Sequence, residues 1–299
     1  MTIFLQLVVN GLVIGVLYAL VALGFVLIYK CSSVINFAQG ELVMVGGYLS
    51  LNMVLYYGIP FPIAVAAAVL ISIGLGLLIE RSMLRPLVGQ PLTSVVMVTI
   101  GLGAVLRGIA PLWGGAGTRA FPPIFPKDTV NIFGLPVSQV NLYAMGIALV
   151  FVIIFALFFK FTRVGIAMQA VADDQQASLC MGISVKQVFA WSWAIAAVVA
   201  AVGGVMWGNV LGVDLFLATA GLKVFPVVIL GGLESVVGAI IGGLIIGVVE
   251  NLGGGYIDPL LVALGAGGGS KDIVPYVVLL LFLFFKPYGL FGKRIIERV

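Results

Sequence analysis

Three polar residues stand close together at the start of a long apolar stretch: Asn36, Gln39 and Glu41 in the segment N-F-A-Q-G-E. With Asn36 as the N-cap of a helix, Gln39 falls three positions later, so that the two amides can satisfy free backbone N–H groups as a capping box does. Glu41 would follow in the second turn, where the positive end of the helix dipole favours a carboxylate. Alternatively, the three side chains border a wet translocation path, because a carboxylate within a membrane needs a partner or water. The two interpretations are compatible.

Further charged residues lie inside apolar runs: Arg107, Lys223 and Glu250. A charged side chain at the middle of a bilayer costs roughly 3 kcal/mol or more, so each of these is expected to be paired or to face water. Arg107 with Glu41 and Lys223 with Glu250 are possible ion pairs. The sequence leaves open whether these charges serve structural pairing or contact with a substrate.

The composition indicates which solvent surrounds this chain. Of its 299 residues, 62% are hydrophobic and 9% are charged, whereas about a quarter of the residues of a soluble domain are charged. The chain therefore belongs in lipid. It has no histidine, and its two cysteines, Cys31 and Cys180, form no Cys-x-x-Cys pair, so no metal site and no cofactor are predicted. No basic stripe with interleaved aromatic residues occurs, and no nucleic-acid partner is expected.

The apolar residues fall into nine runs, which predict helices because backbone groups in hydrocarbon must be satisfied within their own segment. The runs cover about 5–29, 37–57, 61–79, 92–112, 139–159, 188–212, 216–231, 235–252 and 273–285. We therefore predict an all-α polytopic membrane protein with about eight or nine transmembrane or half-spanning helices. No linker divides the chain, so 1–299 is a single transmembrane domain. The run at 216–231 is short and holds Lys223 and Pro226, which suggests a half-helix.

The basic residues predict the orientation in the membrane, since cytoplasmic loops carry the excess of Lys and Arg. The side that holds most of them comprises Lys30, Arg81, Arg85, Lys160, Arg163, Lys186, Lys286, Lys293, Arg294 and Arg298. This side is assigned to the cytoplasm, together with the C-terminus. The loops at about 113–138, with Arg119 and Lys127, and at about 253–272, with Lys271, are then outside. The side of Met1 stays open, because it depends on how 216–231 is counted.

Small residues recur every four positions in G-A-I-I-G-G-L-I-I-G, where Gly238 precedes Gly242 and Gly243 precedes Gly247. This spacing allows two helix backbones to approach closely, so a helix-packing seam is predicted. Another glycine-rich segment, G-A-G-G-G-S-K-D at 265–272, is faintly similar to a phosphate-binding loop. It lacks the Gly-Lys-Ser/Thr ending that such a loop requires, so the chain is not expected to hydrolyse ATP by that route.

The longest inner loop, about 161–187, is the least hydrophobic part of the chain. Its residues from Ile166 to Met181 have the pattern of a short helix, and Gly182 is well placed to end it. Such a helix, lying across the inner face of the membrane, could dock into the groove of another protein. The alternative is a plain connecting helix.

At three places the sequence resembles the permeases of ABC importers for branched-chain amino acids, and in particular the LivH-like subunit of the hydrophobic amino acid uptake family. The inner loop T-R-V-G-I-A-M-Q-A-V-A-D-D followed by A-S-L-C-M-G-I-S-V is similar to the coupling loop of that family. The early I-N-F-A-Q-G-E-L-V-M-V-G-G-Y and the late G-L-K-V-F-P-V-V-I-L-G-G-L-E-S resemble its other signatures. One position departs from the pattern: Gln39 stands where family members usually have His.

This resemblance implies a permease fold and a transport subunit, not an enzyme, in the bacterial inner membrane. The implied partners are two cytoplasmic ATPase subunits that use the ATP, a second related permease subunit and a periplasmic solute-binding protein. The positions that match the family's ATPase-coupling loop are Arg163, Gly165, Ala170, Asp173, Asp174, Ala177 and Gly182. The solute would be a branched-chain or other hydrophobic amino acid.

Two alternatives stay open at this point. Permeases for urea or short-chain amides belong to the same family, and the sequence does not separate them from amino acid permeases. A self-contained ion-coupled carrier or channel would instead use Glu41, Glu250 and Lys223 as its ion path. An intramembrane enzyme has little support, because no serine–lysine dyad of convincing spacing and no paired catalytic carboxylates are present.

Overall fold

Long apolar helices make up most of the structure, a computed structural model that describes residues 2–87, 89–115, 117–126, 128–132, 135–265 and 267–292. The helices are α1 (Thr2–Ser32), α2 (Gln39–Tyr57), α3 (Phe61–Ile79), α4 (Leu92–Gly114), α5 (Gln139–Phe161), α6 (Arg163–Asp173), α7 (Gln175–Cys180), α8 (Val185–Leu211), α9 (Leu217–Leu222), α10 (Val224–Gly231), α11 (Val236–Ala263) and α12 (Ser270–Phe285). A π-helical turn, Glu80–Leu84, and a 3₁₀ turn, Arg85–Leu87, continue α3.

Six of the helices in the described part of the chain, α1, α3, α4, α5, α8 and α11, are long and apolar enough to cross a membrane. The shorter α2 and α12 and the broken pair α9–α10 accompany them. The predicted all-α polytopic fold, including the half-helix at 216–231, is confirmed. The break in that half-helix falls at Lys223, between α9 and α10.

The centre of the bundle is formed by α1 and α8. In the most apolar 18-residue stretch of each helix, 89% of α1 and 72% of α8 are buried, whereas the value for both α3 and α5 is 28%. The helix α1 contacts α8, α5 and α11, so other helices surround most of it. The outer faces of α3 and α5 are exposed in the single chain.

Glycines set the closest helix contacts. A Cβ added at Gly243 would lie 2.7 Å from the carbonyl oxygen of Gly15 in α1, and one at Gly247 would clash with the backbone of the same glycine. A Cβ at Gly242 would clash with the carbonyl oxygen of Val227 in α10, and Gly238 packs on Gly231 in the same way. The two glycine rows of α11 therefore contact two different neighbours, α1 and α10.

The outer end of α11 differs from the prediction. The apolar run was expected to end at 252, with a loop over 253–272, but α11 continues to Ala263 and includes Pro259, and α12 begins at Ser270. Glycines that suggest a turn when read alone serve here as helix contacts, since Gly253 packs on Val274 and Gly255 packs on Leu7. The connection between the two helices is consequently short.

The inner loop also differs from the prediction. Instead of one helix from Ile166 to Met181, it holds α6 and α7, which are separated at Asp174. The backbone of Asp174 is extended (φ −156°, ψ 112°), and its carboxylate accepts a hydrogen bond from the N–H of Ala177 at 2.9 Å. Because Asp174 is a good N-cap, it starts a new helix rather than continuing the first.

Gly182 ends α7, as predicted. Its φ is +82°, in the left-handed region that glycine adopts without strain. Its N–H donates to the carbonyl oxygen of Leu179 at 3.0 Å, and the N–H of Ile183 donates to that of Ser178 at 2.9 Å. This pair of bonds is a Schellman motif.

A small hairpin covers the end of the bundle opposite this inner loop. Strands β1 (Thr129–Ile132) and β2 (Leu135–Ser138) pair antiparallel, with Thr129 opposite Ser138. Since β2 contacts α1 while the C-terminal end of α1 contacts α6, α1 begins on the hairpin side. The side of the N-terminus, which the sequence left open, is thereby the side of the 113–138 loop.

Four basic residues of the orientation prediction lie outside the described residues: Lys127, Lys293, Arg294 and Arg298.

Gly242→Leu is expected to destabilise the bundle, because the new side chain would force α11 away from α10 at a cost of about 1–3 kcal/mol or more. Gly74→Leu is the matched control, since Gly74 lies in α3 and an added Cβ there meets nothing within 4 Å. The melting temperature of the detergent-solubilised protein and its amount in the membrane measure both variants. Equal stability of the two would contradict the assignment of this seam.

Candidate translocation site

The segment before α2 is irregular, and its amides bind each other. The structure corrects the predicted capping box: α2 begins at Gln39, its N-cap is Ala38, and no side chain caps it. Asn36 accepts a hydrogen bond from the N–H of Ala38 at 3.0 Å and donates one to the side chain of Gln39 at 3.2 Å. The N–H of Phe37 donates to the hydroxyl of Thr99 at 3.4 Å. The helix start thus lies inside the bundle, where Asn36 of the same segment satisfies the N–H of Ala38 and Thr99 of α4 satisfies that of Phe37.

Asn36 and Gln39 belong to the packed interior, since each is 1% exposed. The side-chain amide of Gln39 donates to the carbonyl oxygen of Ala196 in α8 at 3.5 Å, and it fills the space left by Gly24 in α1. These two residues fix the position of the α2 start between α1 and α8. They do not line the groove that contains Glu41.

Glu41 and Arg107 form one of the two ion pairs that the sequence left open. An Arg107 Nη atom lies 3.1 Å from Glu41 Oε1; the Glu41 side chain is 9% exposed and that of Arg107 is 44% exposed. The other carboxylate oxygen, Oε2, has no hydrogen-bond partner among the described residues. This oxygen lies over Gly103, and a Cβ added at that glycine would lie 3.3 Å from it.

The pair lies in an open groove of about 330 Å³ between α2, α4 and α9. The lining residues are Phe37, Glu41, Ile100, Gly103, Ala104, Arg107 and Leu222. The ring of Phe37 stacks on that of Phe225 in α10, with 5.0 Å between the ring centres. The groove therefore combines one ion pair with an apolar wall.

The second ion pair is part of a larger network. The ammonium group of Lys223 lies 2.7 Å from Glu250 Oε1 and 2.8 Å from Asp272 Oδ1. The hydroxyl of Tyr18 donates to Glu250 Oε2 at 2.7 Å. These residues line a cavity of about 500 Å³. Because they come from α1, α11, α12 and the break between α9 and α10, the network ties four parts of the bundle together.

The sequence did not predict a third ion pair, between Arg85 and Glu80. Arg85 donates two hydrogen bonds to the carboxylate of Glu80, from Nε at 3.1 Å and from Nη2 at 2.8 Å. The two residues line a cavity of about 340 Å³. Residues five apart do not face each other on an α-helix, but the π-helical turn at Glu80–Leu84 brings them together. Only the separation of the two charges could have suggested this turn. For Tyr18 and Asp272 the sequence carried no signal, since their partners are distant along the chain.

The residues of the inner loop are placed on both sides of α6 and α7. Gly165 is buried and Ala170 is half-buried, while the exposed positions are Arg163, Asp173, Asp174, Ala177 and Gly182. The side chain of Gln169 donates to the carbonyl oxygen of Phe159 at 2.6 Å, and the thiol of Cys31 donates to the carbonyl oxygen of Met168 at 3.9 Å. The loop is therefore attached to the inner ends of α5 and α1.

Membrane-length helices around ion-paired cavities, with a two-helix loop at one end, define a polytopic membrane protein of the transport class. The family described as the branched-chain amino acid transport system permease component matches residues 7–283. The chain belongs to this family.

Two relatives align over nearly the whole chain. The high-affinity branched-chain amino acid transport system permease protein BraD of Pseudomonas aeruginosa is 31% identical, over 99% of this chain and 98% of its own length. The corresponding protein LivH of Escherichia coli K12 is also 31% identical, over the same shares. Among solved structures, PsaBC from Streptococcus pneumoniae in complex with Fab has a TM-score of 0.51 at 16% identity, covering 95% of this chain and 92% of that one. This last likeness concerns the fold alone.

Lys223→Met is expected to lower the free energy of unfolding by about 3–5 kcal/mol, because it leaves the buried Glu250 without its cation. Asp272→Asn should have a small effect, since the side chain of Asp272 is 76% exposed. The double variant Lys223→Met, Glu250→Gln should recover much of the loss. Thermal unfolding in detergent distinguishes the three, and a single variant at Lys223 as stable as the wild type would show that Glu250 does not depend on it.

Proposed function

We propose that this chain is the membrane-spanning subunit of an ATP-driven importer of branched-chain or other hydrophobic amino acids, in a bacterial inner membrane with the C-terminus in the cytoplasm. The observation that carries the proposal is the 31% identity to two branched-chain amino acid permeases over almost the full length of each. A periplasmic binding protein would deliver the solute, and a second related permease subunit would complete the pathway.

In this proposal, two ATPase subunits supply the energy and dock on the inner loop. Supporting this, α6, α7 and the turn after them expose large apolar side chains outside the membrane-length helices: Ile166 is 56% exposed, Leu179 58% and Met181 81%. Apolar residues that are this exposed next to charged ones are typical of a surface that another protein covers. Arg163, Asp173 and Asp174 supply the charged part of that surface.

The loop can transmit force because it is attached to the bundle. Closure of the ATPase pair would push α6 and α7, and the contacts of Gln169 with α5 and of Met168 with α1 would pass this movement to the spans. Rigid-body tilting of the helices would then alternate access to the pathway. We place that pathway beside Glu41, with Asn36 and Gln39 holding the start of α2 in position.

Reconstitution tests the proposal directly. In liposomes, the purified chain alone should not accumulate leucine against a gradient, with or without an ion gradient. The complex with its ATPases, second permease and binding protein should accumulate leucine when ATP is present. Uphill uptake by the chain alone would favour an ion-coupled carrier, and a complex that transports urea or amides but not leucine would exclude the amino acid substrate.

Asp174→Lys should reduce leucine uptake per ATP hydrolysed, because it removes the cap of α7 and reverses a charge on the proposed docking surface. Asp174→Ser keeps a capping oxygen and should separate the two effects, with α7 intact and only the charge lost. Uptake and ATP hydrolysis are measured on the same proteoliposomes. Normal coupling in Asp174→Lys would contradict the role of the loop.

Gly182→Pro should also uncouple the transporter, since proline cannot adopt the φ of +82° that ends α7. Gly182→Asn is its control, because asparagine tolerates the left-handed region. The amount of each variant in the membrane reports insertion separately from coupling. If the proline variant couples as well as the asparagine variant, the geometry of this turn plays no part in coupling.

A further inference from the structure

Among the described residues, three ion pairs have a buried carboxylate, and they differ in one respect. Glu80 uses both oxygens on Arg85, and Glu250 uses one on Lys223 and the other on Tyr18. Glu41 uses only Oε1, and its Oε2 is left without a partner in the described part of the chain. A pair that served structure alone would be expected to satisfy both oxygens, because a buried unsatisfied acceptor costs about 1–3 kcal/mol.

Arg107 has unused capacity as well. It donates one N–H group to Glu41, and its side chain is 44% exposed toward the groove. A guanidinium carries further N–H groups in a planar fork that fits a carboxylate. The pair thus offers acceptor capacity for a cation and donor capacity for an anion on neighbouring atoms.

We propose that Glu41 and Arg107 bind the zwitterionic head of the transported amino acid, with Arg107 on its α-carboxylate and Glu41 on its α-ammonium group. This inference rests on the proposed function and adds the residues that recognise the substrate. The ammonium group reaches the Glu41 carboxylate as Arg107 turns toward the α-carboxylate. The ion pair between Glu41 and Arg107 is then replaced by two ion pairs, one from each residue to the substrate. The net charge of the site stays zero throughout.

The rest of the groove fits the side chain of such a substrate. Phe37, Ile100 and Leu222 form an apolar wall, and Gly103 and Ala104 leave room between that wall and the ion pair. The volume of about 330 Å³ lies at the small end of the ~300–1,000 Å³ range of small-molecule sites, which suits one amino acid rather than a peptide.

The charges also argue against other solutes. Urea or an amide could offer hydrogen bonds to the closed pair, but it brings no charge that could replace either partner. An anion alone would take Arg107 and leave Glu41 buried without a cation, and a cation alone would leave Arg107 without its carboxylate. If binding opens the ion pair, only a solute with both charges satisfies both residues, since the buried Glu41 carboxylate is strongly unfavourable without a cation.

A cysteine in the groove tests occupancy. Ala104→Cys is introduced with Cys180→Ser, because Cys180 is exposed while Cys31 is buried. In the assembled complex, leucine should slow modification of the new cysteine by a water-soluble thiol reagent. At equal concentration, 4-methylpentanoate, which lacks the ammonium group, and 3-methylbutylamine, which lacks the carboxylate, should not. This comparison needs no change to the ion pair itself.

Variants of Glu41 and Arg107 in the same protection experiment test whether these two residues bind leucine. Glu41→Gln and Arg107→Gln should each raise the leucine concentration that gives half-protection by roughly 10- to 100-fold, the loss expected for one hydrogen bond to a charged group. Glu80→Gln is the matched control, since Glu80 is also a buried, paired carboxylate but lines another cavity. Its half-protecting concentration should stay at the wild-type value.

Several results would overturn the site: no protection by leucine, equal protection by all three compounds, an unchanged half-protecting concentration in Glu41→Gln, or a cysteine that never reacts because water does not reach it. ATP-driven leucine uptake is measured on the same complex. Uptake without protection rejects the site and leaves the proposed function standing, whereas a complex that takes up no leucine rejects the proposed function itself.

Discussion

Hydrocarbon offers no partner for a charge or a backbone amide, and this constraint governs the whole structure. The described part of the chain meets it by placing most of its backbone in helices and by pairing charges that lie among them. Lys223 bridges Glu250 and Asp272, and Arg107 bonds Glu41. Glycines then allow the helices to come close enough for van der Waals contact to hold them, because apolar side chains gain little by leaving lipid.

The ion pairs lie where the helices are irregular. Glu41 is at the start of α2 inside the bundle, Lys223 is at the break between α9 and α10, and Glu80 is in a π-helical turn. Backbone groups freed at such places need polar neighbours, and the same places are where cavities open. Irregular backbone, charge and open space therefore occur together at all three places.

The inner loop links this interior to its surroundings. Its helices expose apolar and charged side chains on one side and are attached on the other to α5 and α1 through Gln169 and Met168. Through Met168 the loop contacts α1, which is the most enclosed of the membrane-length helices in the described part of the chain. The Asp174 cap and the Gly182 turn give the loop a defined shape.

The sequence by itself determined the solvent, the class of fold and most of the helix positions, because composition and apolar run length depend on no distant contact, and its motifs resembled those of the family. It also placed Gly182 correctly, since a left-handed turn is a local property. It misplaced the end of α11 and did not predict the break at Asp174, because local signals compete there. Glycines mark both turns and close contacts, and an aspartate in a helical pattern can either continue the helix or cap a new one.

Only the tertiary structure decided which charges meet, that Asn36 and Gln39 are enclosed while Glu41 borders a groove, and that one oxygen of Glu41 has no partner among the described residues. Those facts depend on residues tens to hundreds of positions apart, whose approach is set by the packing of whole helices.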